Sequence, residues 1–147
     1  VLAWRCGIHI TGEDLCEMLR EALFARFGED FWKARGLEFL SDNGPEYRSK
    51  PLRRFLADRG MAGCRTPIRS PESNGMMEAY FGWFKRDYVD QHPIETLESL
   101  RQQVPGWVEH HTRKAPHSAL GMKPPARFYE EWLRDRNQKN KNQPVHN

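Results

Sequence analysis

The sequence predicts an α/β domain with parallel strand pairing toward its C-terminal half, and two observations support this class. Three short segments have the apolar character of strands, at residues 1–9, 37–42 and 61–66. Apolar residues recur at helical spacing between them, over residues 11–28 and 49–60. A chain in which strands alternate with helices builds a sheet with parallel neighbours, because each helix returns the chain to the same edge.

Each of these elements has recognisable ends. Thr11 is a good N-cap for the first helix, and Gly28 ends it. The second strand stops at Asn43-Gly44, a strong turn signal. Ser49 then opens the second helix, and Gly60 closes it before the third strand.

The second half of the chain is predicted to be helical. Pro, Ser, Asn and Gly dominate residues 67–75, which are predicted to form a loop. An amphipathic helix follows, with apolar residues Met77, Tyr80, Phe81, Phe84 and Tyr88 on one side. A further helix is expected over residues 95–112, with Pro105 kinking or splitting it. The last helix is expected over residues 124–134, before a polar tail.

Composition excludes several classes of protein. The chain has 147 residues, a net charge of +3 and no apolar run near the ~20 residues that a membrane span needs. Cys6, Cys16 and Cys64 form no paired motif, which argues against a disulfide framework and against a zinc site. His110, His111 and His117 also lack metal-ligand spacing. We therefore expect a cytoplasmic protein with inert thiols.

Two carboxylates stand out by their positions. Asp42 ends a predicted strand before a glycine turn, where open α/β sheets hold their ligands. Glu78 lies near the start of a helix, after a loop that ends in Gly75. Either residue alone is more often a solvated turn Asp or a first-turn Glu favoured by the helix dipole. Their combination, with 35 residues between them, is more specific.

These residues and their neighbours resemble the catalytic core of DDE transposases and retroviral-type integrases. Ser41-Asp42-Asn43-Gly44 with Tyr47 is similar to the motif around the family's second Asp. Residues 70–78, Ser-Pro-Glu-Ser-Asn-Gly-Met-Met-Glu, are similar to its catalytic-Glu motif. Residues 117–121, His-Ser-Ala-Leu-Gly, with Pro124, resemble a terminal motif of insertion-sequence transposases. The resemblance covers roughly residues 1–135, with separate motifs in the right order.

The resemblance implies an RNase H-like mixed sheet with flanking helices, of which the family's strands 1 and 2 are missing from this chain. It implies a partial catalytic core over residues 1–92, a C-terminal helical extension over 93–135 and a disordered tail over 136–147. The family's first catalytic Asp would lie upstream of Val1. Glu13, Asp14 and Asp30 cannot replace it, because they lie in or around the first helix. We therefore expect a fragment that is inactive by itself, whose first strand lacks a neighbour.

The resemblance also implies a chemistry for the parent protein. It implies that the parent protein cleaves and transfers DNA strands with the help of two divalent ions, Mg²⁺ or Mn²⁺. Asp42 and Glu78 would be catalytic residues and would bind these ions. The DNA partners would be transposon ends and target, bound by a homo-oligomer that is associated with the nucleoid in the bacterial cytoplasm. The expected DNA-binding residues are Lys85, Arg65, Arg69, Asn74 and Gly82.

The expected DNA contacts have separate supports. Lys85 and Gly82 share a helix face with Glu78, and Lys85 matches a position where the family often keeps a DNA-contacting Lys. Residues 48–69 hold seven basic side chains against one acidic one. Two alternatives remain open: a non-catalytic remnant that binds DNA or a partner, and another nuclease of the same fold. Upstream coding sequence with an Asp-bearing strand would favour the enzyme.

Overall fold

The computed structural model describes residues 1–66 and 75–141, and these divide into two units, Val1–Leu97 and Glu98–Asn147. The first unit contains α1 (Gly12–Phe27), β1 (Glu38–Ser41), α2 (Lys50–Asp58), β2 (Ala62–Arg65) and α3 (Gly75–Asp87). The remaining α-helices of the described residues are α4 (Leu97–Arg113) and α5 (Pro125–Lys141). The predicted loop 67–75 lies outside the described residues except for Gly75, which begins α3.

α1 confirms the first predicted helix, and its ends show why it forms there. Thr11 and Asp14 build a capping box, in which the Asp14 backbone N–H donates to Thr11 Oγ1 over 3.2 Å. In return, Asp14 Oδ2 accepts from the Thr11 backbone N–H over 2.8 Å. A hydrogen bond from the Thr11 hydroxyl, followed by the one from the Thr11 backbone N–H, lowers the pKa of the Asp14 carboxyl. At the other end Gly28 adopts φ +62°, a conformation that favours glycine, and its N–H donates to the Phe24 carbonyl.

The core of the first unit lies between α1 and α2. Its buried members are Leu15, Cys16, Leu19, Leu23, Ala34, Leu52, Phe55 and Leu56. At the start of α1, Gly12 lies against Ser49, the N-cap residue of α2. A Cβ atom added to Gly12 would lie only 2.1 Å from Ser49 Oγ, so this contact requires glycine.

β1 and β2 pair in parallel, as the sequence predicts, with Glu38 beside Ala62 and Ser41 beside Arg65. They are the only strands among residues 1–66 and 75–141. The prediction of a strand over residues 1–9 is therefore wrong. A strand is held by hydrogen bonds to a neighbouring strand, and no described strand pairs with this segment. Instead, the Arg5 guanidinium forms two 2.8 Å hydrogen bonds with the Glu21 carboxylate on α1.

The second unit is built on α4 and α5, with Val104, Trp107, His111 and Ala115 buried. α4 runs without interruption through Pro105. Of the kink or split predicted there, the split does not occur, and the kink stays a prediction. A proline removes only one backbone hydrogen bond, and the buried face of α4 continues on both sides of it. α5 extends to Lys141, so helix includes residues 136–141, which the sequence assigned to a disordered tail. Residues 142–147 of that tail lie outside the described residues.

Candidate active site

Asp42 follows β1 directly, at the carboxyl end of the parallel strand pair. Its carboxylate Oδ1 accepts a 2.9 Å hydrogen bond from the Gly44 backbone N–H, which closes a local turn. The Asn43 side-chain amide donates to the Thr66 carbonyl over 3.0 Å, and the Thr66 N–H donates to the Ser41 carbonyl over 2.9 Å. The backbone around Asp42 is therefore held to both strands.

The Asp42 side chain is exposed and retains capacity to bind a ligand. Within the described part of the chain, its second oxygen accepts no hydrogen bond and joins no ion pair. Tyr47 lies close enough to sense this charge. Burial raises the pKa of the Tyr47 hydroxyl, and the negative charges of Asp42 and Glu46 raise it further. The turn thus has a half-buried aromatic side chain on one side and an exposed carboxylate on the other.

Glu78 lies in the first turn of α3 and is exposed. Among residues 1–66 and 75–141 its carboxylate has no hydrogen-bond or ion-pair partner. Gly82 and Lys85 are exposed as well, and an added Cβ at Gly82 would meet no atom within 4 Å. Glu78, Gly82 and Lys85 therefore share an open helical face, as their spacing predicts.

The apolar side of α3 is covered only toward its end. Tyr88, just after the helix, is buried with 7% of its surface exposed, and Phe84 is half-buried. Met77 and Phe81 remain more than half exposed among the described residues. The Phe84 and Tyr88 rings lie 5.2 Å apart, which gives this end of the helix an aromatic anchor.

The predicted basic residues have different environments. Arg65 is exposed at the end of β2 and pairs in register with Ser41, the residue before Asp42. Arg59 is part of the fold, because its guanidinium lies 3.6 Å from the centroid of the Phe55 ring. Arg69 and Asn74, predicted to contact DNA, lie outside the described residues.

The carboxylates at these positions have the right chemistry for a hard divalent ion. Mg²⁺ and Mn²⁺ prefer oxygen ligands and keep several waters, so exposed Asp42 and Glu78 fit as donors. Across the ranges that the structure describes, no three Asp, Glu, His or Cys side chains form a group able to hold a metal. Within the same ranges, no helix combines the length and the apolar character that a membrane crossing requires.

Sequence reasoning missed a second charged site, in the second unit. A cavity of about 400 Å³ is lined by Arg113, Ala126, Arg127, Glu130, Glu131 and Arg134. The available signal was the spacing of Arg127 and Arg134, which places them two turns apart on one face of α5. The contribution of Arg113 depends on tertiary packing, which spacing does not reveal.

Comparisons with known proteins agree with the geometry. Two family models, each described as an integrase core domain, match residues 1–71 and 60–125. An uncharacterized protein of insertion element IS136 from Agrobacterium fabrum is 35% identical over 130 residues, covering 87% of this chain. The transposase InsD for insertion element IS2D from Escherichia coli is 35% identical over 126 residues, covering 86%. The chain spans 66% of the first relative and 40% of the second.

Solved structures give the same fold. The catalytic core domain of BIV integrase aligns with a TM-score of 0.56 and 18% identity, covering 88% of this chain and 76% of that one. A chain of the simian T-cell lymphotropic virus intasome, in complex with a PP2A regulatory subunit, aligns with a TM-score of 0.57 and 16% identity. That alignment covers 83% of this chain and 41% of the other. These likenesses confirm the RNase H-like fold class, of which the described strands form one parallel pair. With integrase core models matching residues 1–125, the chain belongs to the DDE transposase and integrase family.

Proposed function

We propose that this chain is part of the catalytic core of a transposase that cleaves and joins DNA, with Asp42 and Glu78 as two of its metal ligands. The observation that carries the proposal is the position of Asp42. It is an exposed carboxylate at the carboxyl end of a parallel strand pair, and its backbone is held by hydrogen bonds to both strands.

This geometry suits a ligand that must be in place before DNA arrives. The Gly44 N–H occupies Asp42 Oδ1 and orients the carboxylate, which leaves Oδ2 directed to other partners. Little ordering of the loop is then required when a ligand binds. Glu78 offers a second carboxylate from the first turn of α3. Two divalent ions, Mg²⁺ or Mn²⁺, would activate the attacking oxygen and stabilise the leaving oxygen when bound.

Lys85 would contribute to DNA binding rather than to chemistry. It lies two helical turns from Glu78 on the same exposed face, so its ammonium can reach a phosphate close to the carboxylates. The open surface at Gly82, between them, would admit a DNA backbone. Arg65 is exposed beside the Asp42 turn and suits a phosphate contact of the same kind. Arg69 and Asn74 remain predictions.

The substrates and the assembly follow from the same proposal. Transposition joins element ends to a target, so the complete protein would bind both DNAs at the bacterial nucleoid. Bringing two ends together requires at least a dimer, and a similar fold occurs in a viral intasome. The proposal also requires a third carboxylate from outside the described residues.

A second candidate function is binding of DNA or a partner without catalysis. The observation that favours it is the lack of a three-carboxylate group among residues 1–66 and 75–141. The two functions differ in the complete protein. Catalysis requires a metal-dependent product, whereas binding alone requires none.

The test is a strand-transfer assay on the complete transposase with labelled element ends. Asp42→Asn and Glu78→Gln should each abolish cleavage and joining but leave DNA binding largely intact, because both changes keep size and remove charge. Glu98→Gln is the matched control, since Glu98 is also an exposed first-turn Glu of a helix. Near-normal joining by either variant would rule out that carboxylate as a metal ligand.

A further inference from the structure

The cavity in the second unit is lined almost entirely by charged side chains. It lies between the end of α4, which contributes Arg113, and α5, which contributes Arg127, Glu130, Glu131 and Arg134. Its volume is about 400 Å³, and Ala126 is the one apolar residue in its lining. Such a lining suits a charged ligand and would bind an apolar one poorly.

The acidic side chains of this cavity are already engaged. Glu131 accepts a 3.1 Å hydrogen bond from Arg127 Nε and a shorter one from Lys123 Nζ. The hydrogen bond from Lys123, followed by that from Arg127, lowers the pKa of the Glu131 carboxyl. Glu130 makes a long ion pair with Arg134, at 3.9 Å, between largely exposed side chains. Such a pair is weak and easily exchanged for another anion.

Arg113 is the cation that is available. It is exposed, and within residues 1–66 and 75–141 its guanidinium makes no hydrogen bond and no ion pair. With Lys123, the four basic groups around the cavity exceed the two acidic ones, which leaves a positive surplus. A guanidinium presents paired N–H donors that match the oxygens of a phosphate.

We propose that this cavity binds a backbone phosphate of DNA through Arg113 and Arg134, as a contact that is additional to the face of α3. The inference rests on the proposed function only in taking DNA as the source of the phosphate. Phosphate oxygens accept from both guanidinium groups, and the long Arg134–Glu130 pair opens to admit them. Because the contact is to the backbone, it carries no sequence preference.

Four single variants of the full 147-residue chain test the proposal by fluorescence anisotropy with a short labelled duplex. Arg113→Gln should weaken binding about fivefold and reduce the salt slope by about one unit. The control is Arg136→Gln, because Arg136 lies on the same helix α5 outside the cavity lining, 5.1 Å from the Trp132 ring. It should change both quantities less.

An acidic residue gives a test of opposite sign. Glu130→Gln should tighten duplex binding about twofold to fivefold, because it removes a competing carboxylate and releases Arg134. Asp135→Asn removes the same charge from α5 outside the cavity lining and should have a smaller effect. Equal tightening by the two variants would mean that net charge alone is responsible and would overturn the proposal.

Competition experiments separate the possible sources of the anion. Duplex DNA should displace inorganic phosphate from the chain, and Arg113→Gln should weaken binding of both. Saturable binding of inorganic phosphate or of polyglutamate that duplex DNA does not displace would overturn the assignment to nucleic acid. Indistinguishable duplex binding by all four variants, or no duplex binding at all, would also overturn it. These measurements leave Asp42 and Glu78 intact, so a failure here leaves the strand-transfer test of the proposed function unaffected.

Discussion

Replacing Gly12 by alanine should destabilise the first unit through a single contact. The added Cβ would lie 2.1 Å from Ser49 Oγ and 2.5 Å from Ser49 Cβ. The Oγ atom could rotate away, but Cβ is attached directly to the backbone. The start of α1 and the segment before α2 would therefore have to separate by about 1 Å to restore an ordinary contact of 3.4 Å or more.

The expected cost is about 1–3 kcal/mol, the range for overpacking a well-packed site. At roughly 4 °C per kcal/mol for a unit of this size, the melting temperature should fall by about 4–12 °C. Thermal unfolding followed by circular dichroism measures this change. The contact matters for the site because Ser49 follows the Asp42 turn by only a few residues, so a shift there disturbs the carboxylate.

A double-mutant cycle tests the reasoning. Ser49→Gly removes both clashing atoms and should cost only a few tenths of a kcal/mol, since glycine is tolerated at an N-cap. In the Gly12→Ala background the same change should restore most of the lost stability. A Gly12→Ala chain as stable as the parent, or one that Ser49→Gly does not rescue, would refute the steric argument.

Three further predictions concern α3 and the second unit. Gly82→Ala should raise the free energy of unfolding in urea by about 1 kcal/mol, because the added Cβ would meet no neighbouring atom. The same change should weaken DNA binding. Tighter DNA binding would contradict the close approach of a DNA phosphate at Gly82. Lys85→Ala should lower the salt slope of DNA binding by about one unit. Arg86→Ala should lower it less, because the Arg86 guanidinium is already paired with the Asp87 carboxylate. Equal effects of the two variants would mean that the DNA-binding face of α3 is wrongly assigned. Burial, and then the nearby His117, lowers the pKa of His111 to about 4. The free energy of unfolding should therefore decline as the pH falls from about 6.5 toward 4, because in this range only the unfolded chain takes up the proton. The same decline in the His111→Gln variant would mean that other groups cause it.

Local signals in the sequence predicted the elements of the fold well. Thr11 and Ser49 are the N-caps expected, and the turn at Asn43-Gly44 follows β1. These features depend on neighbours within a few residues, which a single sequence contains. The strand expected over residues 1–9 failed because a strand is completed by a partner, and apolar composition does not supply one.

For the candidate site too, the sequence predicted local features but not the contacts between residues that are distant in the sequence. The exposure of Asp42, Glu78 and Lys85 follows from their places at a strand end and on a helix face. The hydrogen bond from Asn43 to Thr66 joins residues far apart in the sequence, so it required the structure. The same is true of Arg113, which meets α5 only through tertiary packing.

A change of metal specificity tests the role of Asp42 most directly. In the complete transposase, Asp42→Cys replaces a hard carboxylate by a softer thiolate, which binds Mg²⁺ poorly and Mn²⁺ better. Strand transfer by this variant should be lost with Mg²⁺ and partly regained with Mn²⁺. Glu46→Cys, in the same loop, should behave like the parent protein with both metals. Normal strand transfer by Asp42→Cys with Mg²⁺ would contradict the assignment of Asp42 as a metal ligand.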